Sequence, residues 1–430
     1  MSTQGHDPDF SANRTDILSI KQANDKGKSY GAMLIQKGTR GKKVVMLLSR
    51  HITYDQRVKK EATSLSSNGY KVKILVLGRK DERSAKDPDN DRFDVDITQL
   101  NTVSFSSSAV PYLLLFNLII FIKTVKRDFD IVHCNDFDTL IAGFFAARIR
   151  RKKVVYDSHE LYAAMAKSNV GPIFANVLYL IENFVSRRVD SLITVNSPIA
   201  EIFAKRGVGK EKISVVMNCK DAQEYKISSA RVENLRKSWN AENKLIILYN
   251  GWLWPHQGLE ELIASVGKLK NQIKDVLVVL CGSGSLEGKL KAMVETEGLE
   301  KYVRFVGPIS LADNALYVNS CDFMFLLFKK TSENALVATP NRLFEAIISG
   351  KPVLTNNFGQ IKNIVEENHI GVLVNPESVE ELCSAILKLR NPKVRSQFCQ
   401  NALKLSEIYN WSHEERNLLK AYDRLISEET

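Results

Sequence analysis

Residues 44–77 read VVMLLSRHITYDQRVKKEATSLSSNGYKVKILVL. The stretch opens on an uninterrupted apolar run, Val44–Leu48, as a strand covered on both faces requires. Asp55 can cap a helix, because a short carboxylate accepts from the N–H groups that a first turn leaves free. Val58, Ala62 and Leu65 then fall on one helical face, Gly69 ends the helix, and Val72–Leu77 is a second apolar strand. A strand, a helix and a strand in this order predict neighbouring parallel strands.

Working outward, the alternation continues. Ile131–His133, Val154–Tyr156, Leu192–Val195 and Ile213–Met217 read as strands with helices between them. After a polar, charged stretch at 220–243 the pattern restarts. Leu245–Tyr249, Val276–Cys281, Val303–Val306, Phe323–Phe328, Pro352–Thr355 and Val372–Val374 read as strands. Leu259–Leu269, Leu286–Val294, Arg342–Ile348 and Val379–Leu389 read as helices, and Pro392–Thr430 as a long helical ending. The fold class is therefore α/β, with two Rossmann-like doubly wound domains at 42–220 and 221–410. Ligands in such sheets bind outside the carboxyl ends of the strands, so both domains are expected to line one cleft. Residues 1–41 are polar and lack periodicity, which predicts a flexible N-terminal extension.

The chain of 430 residues has room for two or three domains. Its six cysteines, at 134, 219, 281, 321, 383 and 399, form no C-x-x-C and mostly lie in apolar runs. That predicts reduced, buried thiols in a cytoplasmic protein. No secretory pattern is visible, and no run reaches the roughly 20 apolar residues of a spanning helix. The net charge is +11, with 35 basic and 23 acidic residues in 1–220 and 25 and 26 in the rest. The basic half points to an anionic partner, such as a lipid surface, a phosphorylated acceptor or nucleic acid, or to a solvated basic surface. No nucleic-acid motif is present, so no nucleic-acid partner is expected. Tyr112–Ile122 is strongly apolar and is followed by Lys123, Lys126 and Arg127. It reads either as a core helix or as one resting on an anionic membrane.

The C-terminal half carries the densest motifs. Thr339-Pro340-Asn341-Arg342-Leu343-Phe344-Glu345-Ala346 precedes Ser349-Gly350-Lys351-Pro352-Val353-Leu354: a loop, a helix start and a strand. Pro340 suits a first helical turn. A helix N-terminus offers free N–H groups to a diphosphate, and Arg342 adds a fork of donors for phosphate oxygens. Tyr249-Asn250-Gly251-Trp252-Leu253-Trp254-Pro255-His256-Gln257-Gly258 is a strand end, a glycine loop and a helix start. Cys281-Gly282-Ser283-Gly284-Ser285 is a glycine-rich turn, weak evidence alone, and Val306-Gly307-Pro308 ends another strand.

These segments resemble the donor site of glycosyltransferase family 4, over nearly the whole span from Lys42 to Tyr422. The resemblance implies a GT-B fold whose last helix, 411–430, crosses back to the first domain. It implies a retaining transferase with a UDP- or GDP-linked nucleotide-sugar co-substrate, no metal and no further cofactor. The donor residues so implied are Gly251, His256, Gln257, Gly282, Gly284, Gly307, Asn341, Arg342 and Glu345, with Glu345 on the nucleotide ribose. Otherwise Glu345 would be a surface helix residue. The chain departs from the pattern at Trp252 and Gln257, where the family usually has cations that balance the leaving diphosphate. It departs again at Val337, where the family often has a second acid; backbone amides around Ala335–Thr339 are the replacement expected to hold the sugar.

His133-Cys134-Asn135-Asp136-Phe137-Asp138-Thr139-Leu140 and Tyr156-Asp157-Ser158-His159-Glu160-Leu161 each follow a strand and resemble N-domain signatures of one branch of the family. Tyr54-Asp55-Gln56-Arg57-Val58 does so too, whereas Ser49-Arg50-His51-Ile52-Thr53 lacks the glycine of many relatives. His133, His159 and Asp136 are the candidate catalytic groups, expected at strand ends and able to bind sugar hydroxyls or manage an acceptor proton. Arg57, Asn135, Asp157 and Glu160 are candidates on the acceptor side. The plain alternatives are capped turns, a helix cap for Asp157 and an ordinary ion pair for Arg57. Asp136-Phe137-Asp138 has the spelling of a metal motif but reads as structural or acceptor-side. The expected acceptor is a glycan, lipid-linked or free, in surface polysaccharide or glycoconjugate synthesis, with peripheral placement at the inner membrane face. The missing cations at Trp252 and Gln257, with the missing acid at Val337, leave a competing reading, a GT-B protein that binds nucleotide, glycan or a partner transferase without turnover. A nucleotide-sugar epimerase is a third.

Overall fold

The computed structural model describes residues 41–49, 52, 55–79, 94–100, 109–162, 171–331 and 333–427. The expected extension, apart from Gly41, lies outside them, as do Arg50, His51, Thr53 and Tyr54 of the first loop. The described chain divides into two compact units: residues up to Met217 together with those from Glu414 on, and residues 218–413.

In the first unit the strands are β1 (Lys43–Leu48), β2 (Lys71–Arg79), β3 (Asp94–Leu100), β4 (Ile131–Asn135), β5 (Lys153–Ser158), β6 (Ser191–Thr194) and β7 (Ile213–Val215). They form one parallel sheet in the order β3-β2-β1-β4-β5-β6-β7. Its helices are α1 (Gln56–Ser67), α2 (Ala109–Val125), α3 (Phe137–Arg150), α4 (Pro172–Ser186) and α5 (Ser197–Lys205). Helix α1 starts where Asp55 accepts from the Val58 N–H at 3.1 Å, and buries Val58, Ala62 and Leu65 as their spacing predicts. Strand β3 has no counterpart in the sequence reading. Its alternating DVDITQL lies at the sheet edge, where an apolar run is not needed.

The second unit has β8 (Leu245–Asn250), β9 (Val276–Cys281), β10 (Val303–Gly307), β11 (Phe323–Leu326), β12 (Val353–Asn356) and β13 (Gly371–Val374), parallel in the order β10-β9-β8-β11-β12-β13. Its helices are α6 (Ser229–Ser238), α7 (Leu259–Leu269), α8 (Glu287–Thr296), α9 (Leu311–Ser320), α10 (Glu333–Val337), α11 (Asn341–Ile348), α12 (Gly359–Glu367), α13 (Val379–Arg390) and α14 (Pro392–Ser406). Helix α6 occupies the polar stretch read as a break; it buries no residue. Helix α7 shows how the sequence makes this layer. Leu259, Leu262, Ile263, Val266 and Leu269 bury one face, and Glu260 and Glu261 complement the free N–H groups of its first turn. Leu262 belongs to the core with Leu280 and Phe325, so Leu262→Ala would cost about 2–5 kcal/mol.

The ending is not one continuous helix. Helix α14 stops at Ser406 and α15 runs over Trp411–Ser427. From Glu414 on, α15 belongs to the first unit: Glu414 Oε2 accepts from the Met217 N–H at 2.8 Å, and Arg424 donates to the Glu211 carbonyl at 3.1 Å. In each sheet the chain reverses its direction of travel beside a central strand, between β1 and β4 and between β8 and β11. Loops at the carboxyl side of those positions are where such sheets place ligands.

Candidate active site

In the first unit the carboxyl ends of β1, β4 and β5 meet the start of α1. Arg57, buried on α1, grips Asp157 with both arms, Nε to Oδ2 and Nη2 to Oδ1, each at 2.9 Å. Its third nitrogen donates to the Val216 carbonyl at 2.7 Å, and Glu61, one turn further on, lies 3.0 Å from Nη2. Burial works against charge on Arg57, yet the Asp157 and Glu61 carboxylates hold the guanidinium firmly protonated. Burial likewise opposes charge on Asp157, but Arg57 and His159 keep it well below the usual carboxylate range. Glu61 is pushed up to about 8 by burial, against the pull of Arg57, so it is mostly protonated at neutral pH.

His133 is not presented at a strand end. It sits within β4, fully buried, with Nδ1 2.7 Å from the Tyr422 hydroxyl of α15. Burial lowers its pKa and raises that of Tyr422, so the hydroxyl donates to a neutral imidazole. Nε2 then carries the proton and faces Glu61 Oε2 at 3.6 Å and Asp157 Oδ2 at 3.7 Å. This corrects the expectation that His133 reaches an acceptor; it braces the groups that lie nearer solvent.

Those groups are Asp136 and His159, whose side chains are 19% and 16% exposed. His159 places Nε2 2.9 Å from Asp157 and Nδ1 3.2 Å from Asp136, and its backbone N–H donates to Asp136 Oδ1 at 3.1 Å. Burial disfavours its charge, but the two carboxylates win and raise its pKa well above the ordinary value. His159 is therefore a pinned imidazolium. Asp136 has φ 61° and ψ 168°, a costly conformation for a residue with a side chain. Its carbonyl-side neighbour in the sheet, Asp157, accepts the Asp136 N–H at 2.9 Å and fixes that turn.

Asn135 is buried and donates to the Leu47 carbonyl at 3.0 Å, tying β4 to β1. Glu160 is exposed, and its carbonyl accepts from Ser158. Among the described residues Asp157 caps no helix; its carboxylate meets Arg57 and His159 instead. Glu61, His133 and Asp157 bring ligand atoms within 4.8 Å of one another, as a metal would require. The fit fails on charge, because Arg57 already holds Asp157 with both arms, Glu61 is mostly protonated, and His159 adds a second cation.

In the second unit, Gly251, Gly282 and Gly307 stand at the ends of β8, β9 and β10 and are laced together. The Gly251 N–H donates to the Cys281 carbonyl and the Gly282 N–H to the Gly307 carbonyl, both at 2.8 Å. A Cβ on Gly282 would lie 1.8 Å from the Gly251 oxygen, so only glycine allows the two loops to touch. Gly284 backs on to the Leu253 carbonyl in the same way.

Arg342, in the first turn of α11, lies over the Tyr249 ring at 4.4 Å. Its Nη2 donates to Gln257 Oε1 at 2.6 Å, while Nη1 is buried without a hydrogen-bond partner. The guanidinium carbon stands 3.9 Å from where a Gly251 Cβ would be. Pro340 takes the cap position of α11 rather than its first turn, and no side chain caps that end. Gly258 starts α7, also without a side-chain cap. His256 has its pKa lowered by burial and by Arg342, so it faces this region neutral. Asn341 Oδ1 accepts from Asn218 at 2.6 Å, and Trp252 is 68% exposed.

Glu345 is no surface residue, at 5% exposure. Its Oε2 accepts from Asn250 at 2.9 Å, and Oε1 lies 3.5 Å from the buried Lys220 ammonium. Asn250 also donates to Asn314, which donates to Tyr225. The amides expected to replace the second acid are partly spent: Glu333–Val337 forms the short α10, and the Ala338 N–H donates to the Asn334 carbonyl at 2.9 Å.

The model of the group described as Glycosyl transferases group 1 matches residues 231–405, and that described as Glycosyltransferase Family 4 matches residues 56–224. The chain is a glycosyltransferase family 4-like protein. Crystal structures of Anabaena HepE with UDP and with UDP-glucose superpose at a TM-score of 0.68, with 18% identity. They cover 89% of this chain, the UDP complex over 100% of its own, so the glycosyltransferase has the GT-B fold. An uncharacterized glycosyltransferase of Methanocaldococcus jannaschii is 22% identical over 71% of this chain and 78% of its own length. The phosphatidylinositol N-acetylglucosaminyltransferase GPI3 subunit of Saccharomyces cerevisiae (strain YJM789) is 23% identical over 70% and 65%.

The sequence reading gives no site role to Glu61, Tyr422, Lys220, Asn250 or Asn314. Glu61 did carry a signal: it lies four residues after Arg57 on the same helical face. None of the six cysteines is in a disulfide, and four of them are buried. Among the described residues no helix is long and apolar enough to cross a membrane.

Proposed function

We propose that the glycosyltransferase moves a sugar from a UDP- or GDP-linked donor to a glycan acceptor, free or lipid-linked, with retention of anomeric configuration. Surface polysaccharide or glycoconjugate synthesis is the setting this reading favours. The observation that carries it is Arg342 Nη1, a buried cationic donor without a partner beside the glycine loop and two uncapped helix starts. A nucleoside diphosphate supplies the oxygens such a set lacks. The UDP complexes of HepE support the same choice of ligand.

In this reading Arg342 and the starts of α7 and α11 hold the diphosphate, with the neutral His256 as one further donor. Glu345, braced by Asn250 and Lys220, takes the ribose hydroxyls, and Asn341, Gly284 and Gly307 shape the surrounding backbone. Departure of the diphosphate needs positive charge in the transition state, and Arg342 supplies it where Trp252 and Gln257 do not. No metal or further cofactor has a role in this scheme. On the acceptor side Asp136 can accept a hydroxyl proton; His159, pinned by two carboxylates, supplies positive charge rather than a base. Arg57, His133, Asn135 and Asp157 position that pair, and exposed Glu160 can meet acceptor hydroxyls.

Binding without turnover rests on Trp252, Gln257 and Val337 in place of charged groups, and the relatives do not favour it. Calorimetric titration with UDP, GDP, ADP and CMP, without added metal, tests the proposal. Micromolar binding of one of them, lost in Arg342→Ala, is expected; no binding by any would overturn it. Product anomer assignment by NMR then decides retention.

A further inference from the structure

The helices on one face of the first sheet carry apolar side chains outward. Helix α3 packs against both α2 and α4, and the right-handed crossovers after β3, β4 and β5 place the three on the same side. On α4, Ile173, Leu180 and Phe184 are exposed by 83%, 65% and 55%, at the spacing of one helical face. Leu114 and Leu118 on α2 and Ile149 on α3 extend the patch. Single exposed apolar residues are ordinary, but stripes on three adjacent helices are not.

Charge decides what covers them. Helix α2 carries no acid, and the acid of α4, Glu182, is buried against Tyr156 and Arg206. Helix α3 has Asp138 alone, in its first turn. The three helices run parallel and all end in cations: Lys123 on α2, Arg148 and Arg150 on α3, Arg187 and Arg188 after α4. Arg188 lies 3.7 Å over the Phe184 ring, a cation at the border of the stripe. Asp190, just after α4, pairs with Arg148 and Lys153, but Lys123, Arg150, Arg187 and Arg188 leave cations in excess, and apolar residues beside such an excess suit a lipid surface bearing negative charge. We infer that the α2–α3–α4 face docks the protein on an anionic lipid bilayer. None of these helices can span one, so the protein lies on the surface.

The test is flotation of the full chain with vesicles of phosphatidylcholine alone or mixed with phosphatidylglycerol. Flotation is expected with the mixed vesicles and not with phosphatidylcholine at moderate salt. The pair Ile173→Ser and Leu180→Ser, and separately the pair Lys123→Glu and Arg150→Glu, should each lower partitioning at least about tenfold. Nucleotide affinity and melting temperature should stay unchanged, which separates this inference from the donor-site proposal. Failure to float with mixed vesicles, or undiminished flotation of either double variant, would overturn it. So would sedimentation velocity showing a dimer that the serine pair dissociates, since a second copy would then cover the face.

Discussion

Gln257 and Arg342 lie 85 positions apart and meet at 2.6 Å, the amide oxygen accepting from Nη2. The resemblance to family 4 implies a cation at the position of Gln257. Here the neutral amide fixes the plane of the one guanidinium, leaving Nη1 for a ligand.

Arg342→Ala should weaken binding of the preferred nucleoside diphosphate by roughly 10- to 100-fold, the range of a lost charge-assisted hydrogen bond. Gln257→Ala should weaken it only several-fold, because the guanidinium is still held over Tyr249. The matching nucleoside, without phosphates, should bind both variants like the parent. Calorimetry with the nucleoside and its diphosphate checks the pair; equal losses for both ligands would show that Arg342 does not meet phosphate.

Glu345 calls for a gentler substitution than alanine. Glu345→Ala leaves the Lys220 ammonium buried without its carboxylate, so lost stability of about 3–5 kcal/mol would accompany lost binding. Glu345→Gln keeps the shape and one acceptor. The charge facing Lys220 is still lost, so it should cost some stability, though less than alanine, while lowering nucleotide affinity about tenfold or more. Urea unfolding beside calorimetry separates the two effects. Unchanged nucleotide affinity in the glutamine variant would remove Glu345 from the ribose.

Much of this was legible before any coordinates. Buried parallel strands must be short apolar runs, so β1, β8 and β9 stood out, while edge strand β3, with its alternating acids, did not. Gly282 was legible because a turn pressed against another backbone leaves no space for a side chain. His133 was located but misjudged: being near the end of an apolar run does not say whether a ring points along the strand or into the layer. Tyr422 and Lys220 were invisible as partners, because each meets its site over a sequence gap that no local pattern spans.

The buried cluster of the first unit should respond unequally to loss of its two carboxylates. Asp157→Asn strips Arg57 of its two-armed partner and His159 of one anchor, and should cost about 3–5 kcal/mol. Glu61→Gln spares the native state the proton that the unfolded chain has already released by pH 7, so it should lower stability little or raise it there, by up to about 1.4 kcal/mol for each pH unit above the unfolded value. Urea unfolding of both variants near pH 7 tests this contrast; similar large losses would mean that Glu61 is ionised in the fold.

His159 should make stability fall as pH rises. Its native pKa is raised by Asp136 and Asp157, so below the unfolded value of about 6.5 both states hold the proton and the stabilisation is complete. Above that, the unfolded chain releases the proton while the native state keeps it. Stability then drops by up to about 1.4 kcal/mol per pH unit until the native value is reached, where the contribution is gone. Glu61, also raised, adds a loss of the same sign from its unfolded value of 4.5 up to about 8. His159→Asn should therefore flatten the parent's decline from about pH 6.5 up to the raised native value without abolishing it below pH 8, and Glu61→Gln with His159→Asn should flatten both. Denaturant midpoints across that range read the slopes directly. Parallel curves for parent and His159→Asn would mean that the imidazole is not held charged, and Asp136 would then have no fixed cation beside it when an acceptor hydroxyl arrives.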